Sequence, residues 1–245
     1  MSDGWSLGVI VRDLAQLYAG VSPAPLVSTY AAFAEWQRRE RPAAEVAPLA
    51  EYWRDALAGA PRELALPRPE GASADEPGAA GVVALALDPD LVPALEQLAG
   101  SRDCTLFMVL LAAYHAALAQ VSGQRDIVIG TPLARRDRPE WEDVVGLFAS
   151  ALPLRVRTGA DAPFDTMLAE ARDAAAMAFA HQDLPFEQIV EAAGVPRRAE
   201  RHPVFQAALV LQNMPVPELA LEHLVVSRVA DPYPVTPFDL VLTFD

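Results

Sequence analysis

Apolar residues recur along the first third of the chain with the spacing of amphipathic helices. Between residues 5 and 18 they return at every third or fourth position and so share one helical face. The residues on this face are Leu7, Ile10, Val11, Leu14, Leu17 and Tyr18. Ser2 or Asp3 can cap this helix through a side-chain oxygen. The same periodicity predicts helices over 28–39 and 45–58, the second ending at Gly59.

From residue 82 onward, stretches with alternating apolar residues mix with helical ones. Helices are predicted over 89–99, 104–121, 163–180 and 185–193, and strands over 82–87, 125–132, 147–157, 203–212, 224–229 and 238–244. Asp88 is expected to cap the first of these helices, with Pro89 at its first position. The pattern is typical of an α/β fold, with helices packed on a sheet.

A segment rich in proline, glycine and acidic residues divides these two parts. The stretch "PRPEGASADEPGAAG" (67–81) contains almost no large apolar side chain, and we predict a linker over residues 61–81. We therefore expect a helical part over 1–60, the linker over 61–81, and a mixed part over 82–245 that contains the sheet.

Charge and composition exclude several classes of function. The net charge is −14, and all 19 basic residues are arginine. Such an acidic chain repels phosphate backbones, so nucleic-acid binding is not expected. Without lysine, neither a Schiff base nor a Walker-type phosphate lysine can form. Cys104 is the only cysteine, so the chain has no internal disulfide, and its apolar context predicts a small buried side chain.

The uncharged stretch 104–124 has the length of a membrane span, but its polar and small residues favour a buried core helix. The first residues lack the pattern of a signal peptide, so a cytoplasmic location without membrane contact is expected. The four histidines are His115, His181, His202 and His223, and their spacing does not predict a metal site.

Five segments, taken in order, resemble successive motifs of the condensation domain of nonribosomal peptide synthetases. They are "SDGWS" (2–6), "YAAFAEWQRRE" (30–40), "GTPLARRDRPEWEDVVGLFASALPLRVR" (130–157), "HQDLPFEQIVE" (181–191) and "RHPVFQAALVLQN" (201–213). The resemblance implies a two-lobed fold like chloramphenicol acetyltransferase. A tunnel between the lobes admits the phosphopantetheine arms of two carrier proteins, and an acceptor amine attacks a donor thioester there to form an amide.

The resemblance also implies that part of the domain is missing from this chain. The family's signature motif is His-His-x-x-x-Asp-Gly, and Asp3 and Gly4 match its last two positions. Both histidines, including the catalytic one, would precede Met1, and the end of the chain resembles a late strand of the fold. We expect the end of the first lobe and most of the second. This chain alone should then be inactive, and its uncovered apolar surfaces should make it associate.

The resemblance assigns roles to a few residues. Asp3 matches a residue that forms a structural ion pair with an arginine, here Arg136, although the position of Asp3 is equally explained by helix capping alone. Ser150, Gln212 and Asn213 match positions that line the substrate tunnel. The end of a strand would explain Gln212 and Asn213 equally well. No bound cofactor or metal is expected, and the implied partners are carrier proteins and neighbouring synthetase modules.

The sequence departs from the family at two positions. Arg135 stands where glycine is common, and Ser150 stands where asparagine is common. Both changes favour an alternative function, a non-catalytic domain of the same fold that recruits carrier proteins or tailoring enzymes. An epimerising relative is a further alternative, but "DGWS" argues against it.

Two other motifs have explanations of their own. In "HQDLPFEQIVE" we expect Asp183 to cap a short helix, Pro185 to lie in its first turn and Glu187 to favour its positive end, so this motif is architectural. Three arginines, at 197, 198 and 201, could bind an acidic carrier protein. The alternative is a solvent-exposed turn in which they form surface ion pairs.

Overall fold

The computed structural model describes residues 2–39, 43–67, 80–196, 202–212, 219, 221–227 and 238–244. Within them the chain forms seven α-helices, one 3-10 helix at Pro139–Trp141, and four strands. The helices are α1 (Gly4–Tyr18), α2 (Tyr30–Arg39), α3 (Ala43–Ala56), α4 (Leu91–Ser101), α5 (Leu106–Ser122), α6 (Phe164–Ala180) and α7 (Phe186–Ala192). The strands are β1 (Asp126–Leu133), β2 (Ser150–Arg157), β3 (Ala207–Leu211) and β4 (Leu240–Phe244).

The four strands form one sheet in the order β2-β1-β3-β4. β1 and β3 are parallel, with Ile129 opposite Ala207, and β3 and β4 are also parallel. A backbone hydrogen bond of 3.0 Å from Thr158 N–H to Arg125 O joins the end of β2 to the start of β1. Pro153 lies within β2, where its missing N–H is compatible with an edge position.

The chain divides into two compact units. The first comprises Met1–Ala47, Pro132–Ser150 and Gln212–Pro232, and the second comprises Pro48–Thr131, Ala151–Leu211 and Tyr233–Asp245. The expected boundary at 61–81 stays a prediction, and residues 68–79 of it lie outside the described part of the chain.

Helix α5 forms the centre of the second unit. Thr105 caps its start, since Thr105 Oγ1 accepts a 3.3 Å hydrogen bond from Met108 N–H, and Gly123 ends it at φ 72°. Leu111, Ala112 and Leu118 are buried. The uncharged stretch is therefore a core helix, as expected. The thiol of Cys104, just before it, is only partly buried, because Cys104 precedes the cap and is not part of the buried face.

In the described ranges no helix is by itself both long and apolar enough to cross a membrane, and α4 and α5 meet those requirements only together, bent by 103°.

Two predicted strands are wrong. Residues 82–87 are outside regular structure, and Val82 and Val83 are each 83% exposed. Alternation predicts a strand only where a neighbour completes the ladder, and none of the described strands pairs with this segment. Residues 224–227 also form no strand, while 228–229 lie outside the described residues.

Two predicted helix caps are also wrong. α4 starts at Leu91, so Asp88 and Pro89 precede it, and Asp88 instead accepts a 3.0 Å hydrogen bond from Asp90 N–H in the preceding turn. The cap position of α7 is Pro185, not Asp183. In both cases a proline fixes the backbone beside the cap and shifts the first helical residue by one or two positions.

Candidate functional site

A buried polar cluster lies at the start of α1, in the first unit. Asp3 is the N-cap residue of α1, with extended backbone at φ −106° and ψ 179°. Its Oδ1 accepts hydrogen bonds from Ser6 N–H at 2.9 Å and from the Ser6 hydroxyl at 2.7 Å. Its Oδ2 accepts from Phe148 N–H at 3.0 Å and Ala149 N–H at 3.2 Å. The carboxylate thus ties α1 to the turn that precedes β2.

The structure also brings Asp3 and Arg136 together. Arg136 Nη2 lies 3.2 Å from Asp3 Oδ1, and the two side chains are 1% and 5% exposed, respectively. Asp3 is therefore a helix cap and an ion-pair partner at once, so the two explanations that the sequence left open are not alternatives. An ion pair this deeply buried is favourable only if most of its remaining polar atoms are also bonded.

Arg136 makes most of those bonds to the backbone. Its Nη1 donates to Trp141 O and, at 2.8 Å, to Val144 O. Its Cζ lies 4.0 Å from the centre of the Phe148 ring, within cation–π range. Nε has no acceptor among the described residues. The guanidinium therefore fixes the path of the chain from the 3-10 helix to Phe148.

Ser6 is the residue that the sequence analysis missed. Its fully buried hydroxyl accepts from Gly146 N–H and from Arg136 Nη2, both at 3.0 Å, and Gly146 O lies 2.8 Å away. A hydroxyl has one proton, so Ser6 donates to Asp3 or to Gly146 O, but not to both at once. Its place three residues after the capping Asp3 is the signal that could have identified it.

The hydrogen bonds determine the charge state of Asp3. Burial alone would raise the pKa of Asp3, but the bonds from the Ser6 backbone and hydroxyl and from Phe148 N–H, together with the charge of Arg136, outweigh burial and lower that pKa. Asp3 is therefore ionised at neutral pH.

Aromatic side chains pack around the turn that precedes β2, and they come from two of the motifs that resemble the family, at 30–40 and 130–157. Phe33 of α2 lies 4.4 Å from the ring centre of Phe148 and 4.9 Å from that of Trp141. The Tyr30 hydroxyl donates to Leu147 O at 2.9 Å. A Cβ added to Gly146 would lie 2.2 Å from Tyr30 Cδ2, so only glycine fits beneath this ring. The motifs at 30–40 and 130–157 thus form one packed structure.

Two of the three predicted tunnel residues, Ser150 and Gln212, are described, and both lie near the same end of the sheet. Ser150 is the first residue of β2 and is half-buried, while Gln212 follows β3 and is exposed. The last residues of β2 lie beside the first residues of β1, so Ser150, at the start of β2, lies near the carboxyl end of β1. β3 runs parallel to β1, so Gln212, just after β3, lies at the same end of the sheet. Two strand spacings, roughly 10 Å, separate the two residues. Asn213 lies outside the described residues, as do the arginines at 197, 198 and 201.

Arg135 occupies a left-handed backbone conformation, with φ 49°. This region favours glycine, since a side chain there crowds its own backbone. The preference of the family for glycine at this position therefore has a conformational explanation, and this chain accommodates a long cation at some strain.

The histidines lie outside the polar cluster. His115 is buried on α5, and burial lowers its pKa. The backbone groups of Arg125 and Val156 near its ring act in the opposite direction, but burial outweighs them. His202 stacks among Phe186, Phe205 and Phe238, and burial lowers its pKa as well.

The other two histidines make local contacts. His181 Nδ1 lies 2.7 Å from Met177 O, and exposed His223 lies 3.5 Å from Glu222. Within the described residues, no group of three or more His, Cys, Asp or Glu side chains is arranged to hold a metal ion.

The sequence matches the family described as "Condensation domain" over residues 1–242. It is 41% identical to phosphinothricin tripeptide synthetase PhsC of Streptomyces viridochromogenes, over 86% of this chain and 20% of that protein. It is 39% identical to malpinin synthetase of Mortierella alpina, over 99% of this chain and 3% of that protein. The X-domain from teicoplanin biosynthesis superposes with a TM-score of 0.84 at 32% identity, covering 99% of this chain and 56% of that one.

This chain belongs to the condensation-domain family of nonribosomal peptide synthetases. Its α/β fold is the chloramphenicol acetyltransferase-like fold that solved condensation domains share. The chain spans about half the length of the X-domain and a small fraction of the two synthetases.

Proposed function

We propose that this chain is the later part of an amide-forming condensation domain. In the family reaction, the amine of a carrier-bound acceptor attacks a carrier-bound donor thioester. The observation that carries the proposal is the buried ion pair of Asp3 and Arg136, which the resemblance to the family predicts for the aspartate of its signature motif. The match over residues 1–242 supports it.

The chemistry of the cluster suits positioning, not proton transfer. Both carboxylate oxygens of Asp3 are occupied by donors, and its pKa is lowered, so Asp3 is a poor base for an ammonium proton at neutral pH. Its role would be to hold the backbone just before α1, where the two histidines of the family motif would precede it. An imidazole there could take up the acceptor proton or donate to the thioester oxygen.

Substrates would arrive on the phosphopantetheine arms of carrier proteins, and the domain would need no cofactor of its own. Ser150 and Gln212, near the same end of the sheet, are the described candidates for contact with these arms. Ser150 is shorter than the asparagine common in the family and would leave more room there.

The experiment is a condensation assay with purified carriers loaded with donor and acceptor amino acids. We expect this chain alone to yield no dipeptidyl product, because both carboxylate oxygens of Asp3 already accept hydrogen bonds and its pKa is lowered, so the Asp3 cluster cannot take up the acceptor proton. An intact condensation domain assayed with its own carriers is the positive control. Product above the background of carriers alone would contradict the proposal.

A second candidate function is recruitment without catalysis. The teicoplanin X-domain resembles this chain, and that X-domain has been solved in complex with OxyB. Calorimetric titration of this chain with purified OxyB, and separately with a purified carrier protein, distinguishes the two functions. Saturable binding of OxyB without carrier binding would favour recruitment of a tailoring enzyme. Carrier binding alone would favour the condensation domain.

A further inference from the structure

A groove of about 290 Å³ lies in the second unit, between α3, β2 and α6. It shares no residue with the Asp3 cluster. Its volume is close to the lower limit for small-ligand sites. The base of the groove is apolar and includes Trp53, Leu57, Pro153 and Ala178. Trp53 donates its ring N–H to His181 O at 3.0 Å, so this base is fixed.

The β2 wall of the groove carries positive charge. Arg155 is immobilised by bonds to Asp126 at 2.8 and 2.6 Å and to the carbonyls of Ala56 and Ala58 at 2.9 and 2.7 Å. These bonds use four of its five N–H groups and leave one free. Arg157 lies two residues along the same face of β2 and is exposed, and no described carboxylate pairs with it. The net charge of this wall therefore comes from Arg157.

The α6 wall carries negative charge. Glu170, Asp173 and Met177 lie on one face of the helix, at spacings of three and four residues. Asp173 is paired with Arg172 at 2.9 Å, whereas exposed Glu170 has no ion-pair partner among the described residues. Tyr52, stacked on His181 at 3.7 Å, and the half-exposed thioether of Met177 add apolar surface to the lining of the groove.

We propose that this groove binds a short zwitterionic peptide with apolar side chains, of about two residues. The carboxylate of the peptide pairs with Arg157, assisted by the free N–H of Arg155, and its ammonium pairs with Glu170. Arg157 and Glu170 lie on different walls of the groove, on β2 and α6, and form no ion pair with each other, so a ligand that pairs with both is expected to carry its charges on separate ends. A free amino acid holds both charges on one carbon, whereas a dipeptide separates them by a peptide unit.

The test uses the full chain and four probes: leucyl-leucine, its N-acetyl derivative, its C-terminal amide, and free leucine. Calorimetry and saturation-transfer NMR measure binding. We expect leucyl-leucine to bind with a Kd on the order of 1 mM. Each blocked dipeptide should bind about fivefold more weakly, the effect of one partly exposed ion pair, and free leucine more weakly still. No saturable binding of leucyl-leucine at about 20 mM, well above the expected Kd, would overturn the proposal.

Two exposed substitutions assign the ends of the ligand. Arg157→Gln should weaken leucyl-leucine and leave the amide, which has no carboxylate, unchanged. Glu170→Gln should weaken leucyl-leucine and leave the N-acetyl derivative unchanged. Arg12→Gln and Glu96→Gln, which remove a charge outside the groove, are the matched controls and should bind like wild type. If Arg157→Gln and Glu170→Gln weaken all probes equally, or none, the assigned pairings are wrong.

Discussion

Helices α1 and α5 are both rich in apolar residues, yet they are held in place by different interactions. α5 is buried on most sides, and its ends are capped by Thr105 and Gly123. α1 buries only Ser6 and Val9 and exposes much of its apolar face, including Leu7, Leu14 and Leu17. What fixes α1 is the polar cluster at its first turn, where Asp3 and Ser6 bond to the turn before β2.

This difference shows what hydrophobic periodicity can predict. A period of 3.6 residues identifies a helix and its apolar face, but it does not identify what the face packs against. For α5 the apolar residues pack inside the second unit. For α1 the described residues provide a polar attachment instead, so its position depends on a few charged and hydrogen-bonded groups.

The largest effect is expected from loss of the polar attachment. Asp3→Asn would leave Arg136 buried without a counter-charge, which costs about 3–5 kcal/mol. Three of the four tryptophans, Trp5, Trp36 and Trp141, belong to the first unit, so fluorescence-detected urea unfolding reports on it. Asp13→Asn, at the exposed pair with Arg12, is the control and should change stability by less than about 1 kcal/mol. Equal effects of the two changes would mean that the buried pair does not hold α1.

The next largest effect on stability is expected from truncating an apolar side chain of α5, and the same change in α1 provides the comparison. Leu111→Ala removes a fully buried side chain of α5 and should cost about 2–5 kcal/mol. Leu14→Ala removes a half-exposed side chain of α1 and should cost less than about 1 kcal/mol. Unfolding followed by circular dichroism measures both. A cost for Leu14→Ala as large as that for Leu111→Ala would show that the face of α1 is covered.

A smaller change in the free energy of unfolding is expected when the pH is lowered. Burial lowers the pKa of His115 and of His202. As pH falls below about 6.5, the unfolded chain takes up protons that the folded chain excludes. The free energy of unfolding therefore falls, and it stops falling once pH is below the folded-state values. His115→Leu should flatten this dependence between pH 7.5 and 5, whereas exposed His223→Asn should not. An unchanged slope in His115→Leu would contradict the assigned cause.

The smallest effect is on self-association. The exposed face of α1 should make the chain associate weakly at high concentration. Leu14→Gln combined with Leu17→Gln should shift sedimentation toward the monomer, whereas Val27→Gln, outside the helix, should have little effect. A sharp monomer peak for the wild-type chain at every concentration would remove this expectation.

Much of the fold was predictable because its signals are local. The helical period places α1, α2, α5 and α6 within one or two residues of their observed bounds. The prediction failed where the outcome depends on distant partners. Residues 82–87 alternate like a strand, but alternation carries no information on whether a neighbouring strand is present.

The candidate site shows the same division. The resemblance to condensation domains indicated the pair of Asp3 and Arg136, which the structure brings together across 133 positions. It did not indicate Ser6, whose role depends on Gly146, 140 positions away, nor the left-handed backbone at Arg135. Spacing along the chain cannot show that a serine is enclosed on all sides. The roles of Ser150, Gln212 and Asn213 in the tunnel stay predictions.

The most direct test of the account is the coupling between Asp3 and Arg136. Unfolding free energies of wild type, Asp3→Asn, Arg136→Met and the double variant form a double-mutant cycle. If the buried pair holds α1, the double variant should be clearly more stable than the sum of the single changes implies. We expect a coupling energy of about 2 kcal/mol, above the roughly 1 kcal/mol limit of exposed pairs. Additive single effects would contradict the claim that this ion pair fixes the start of α1.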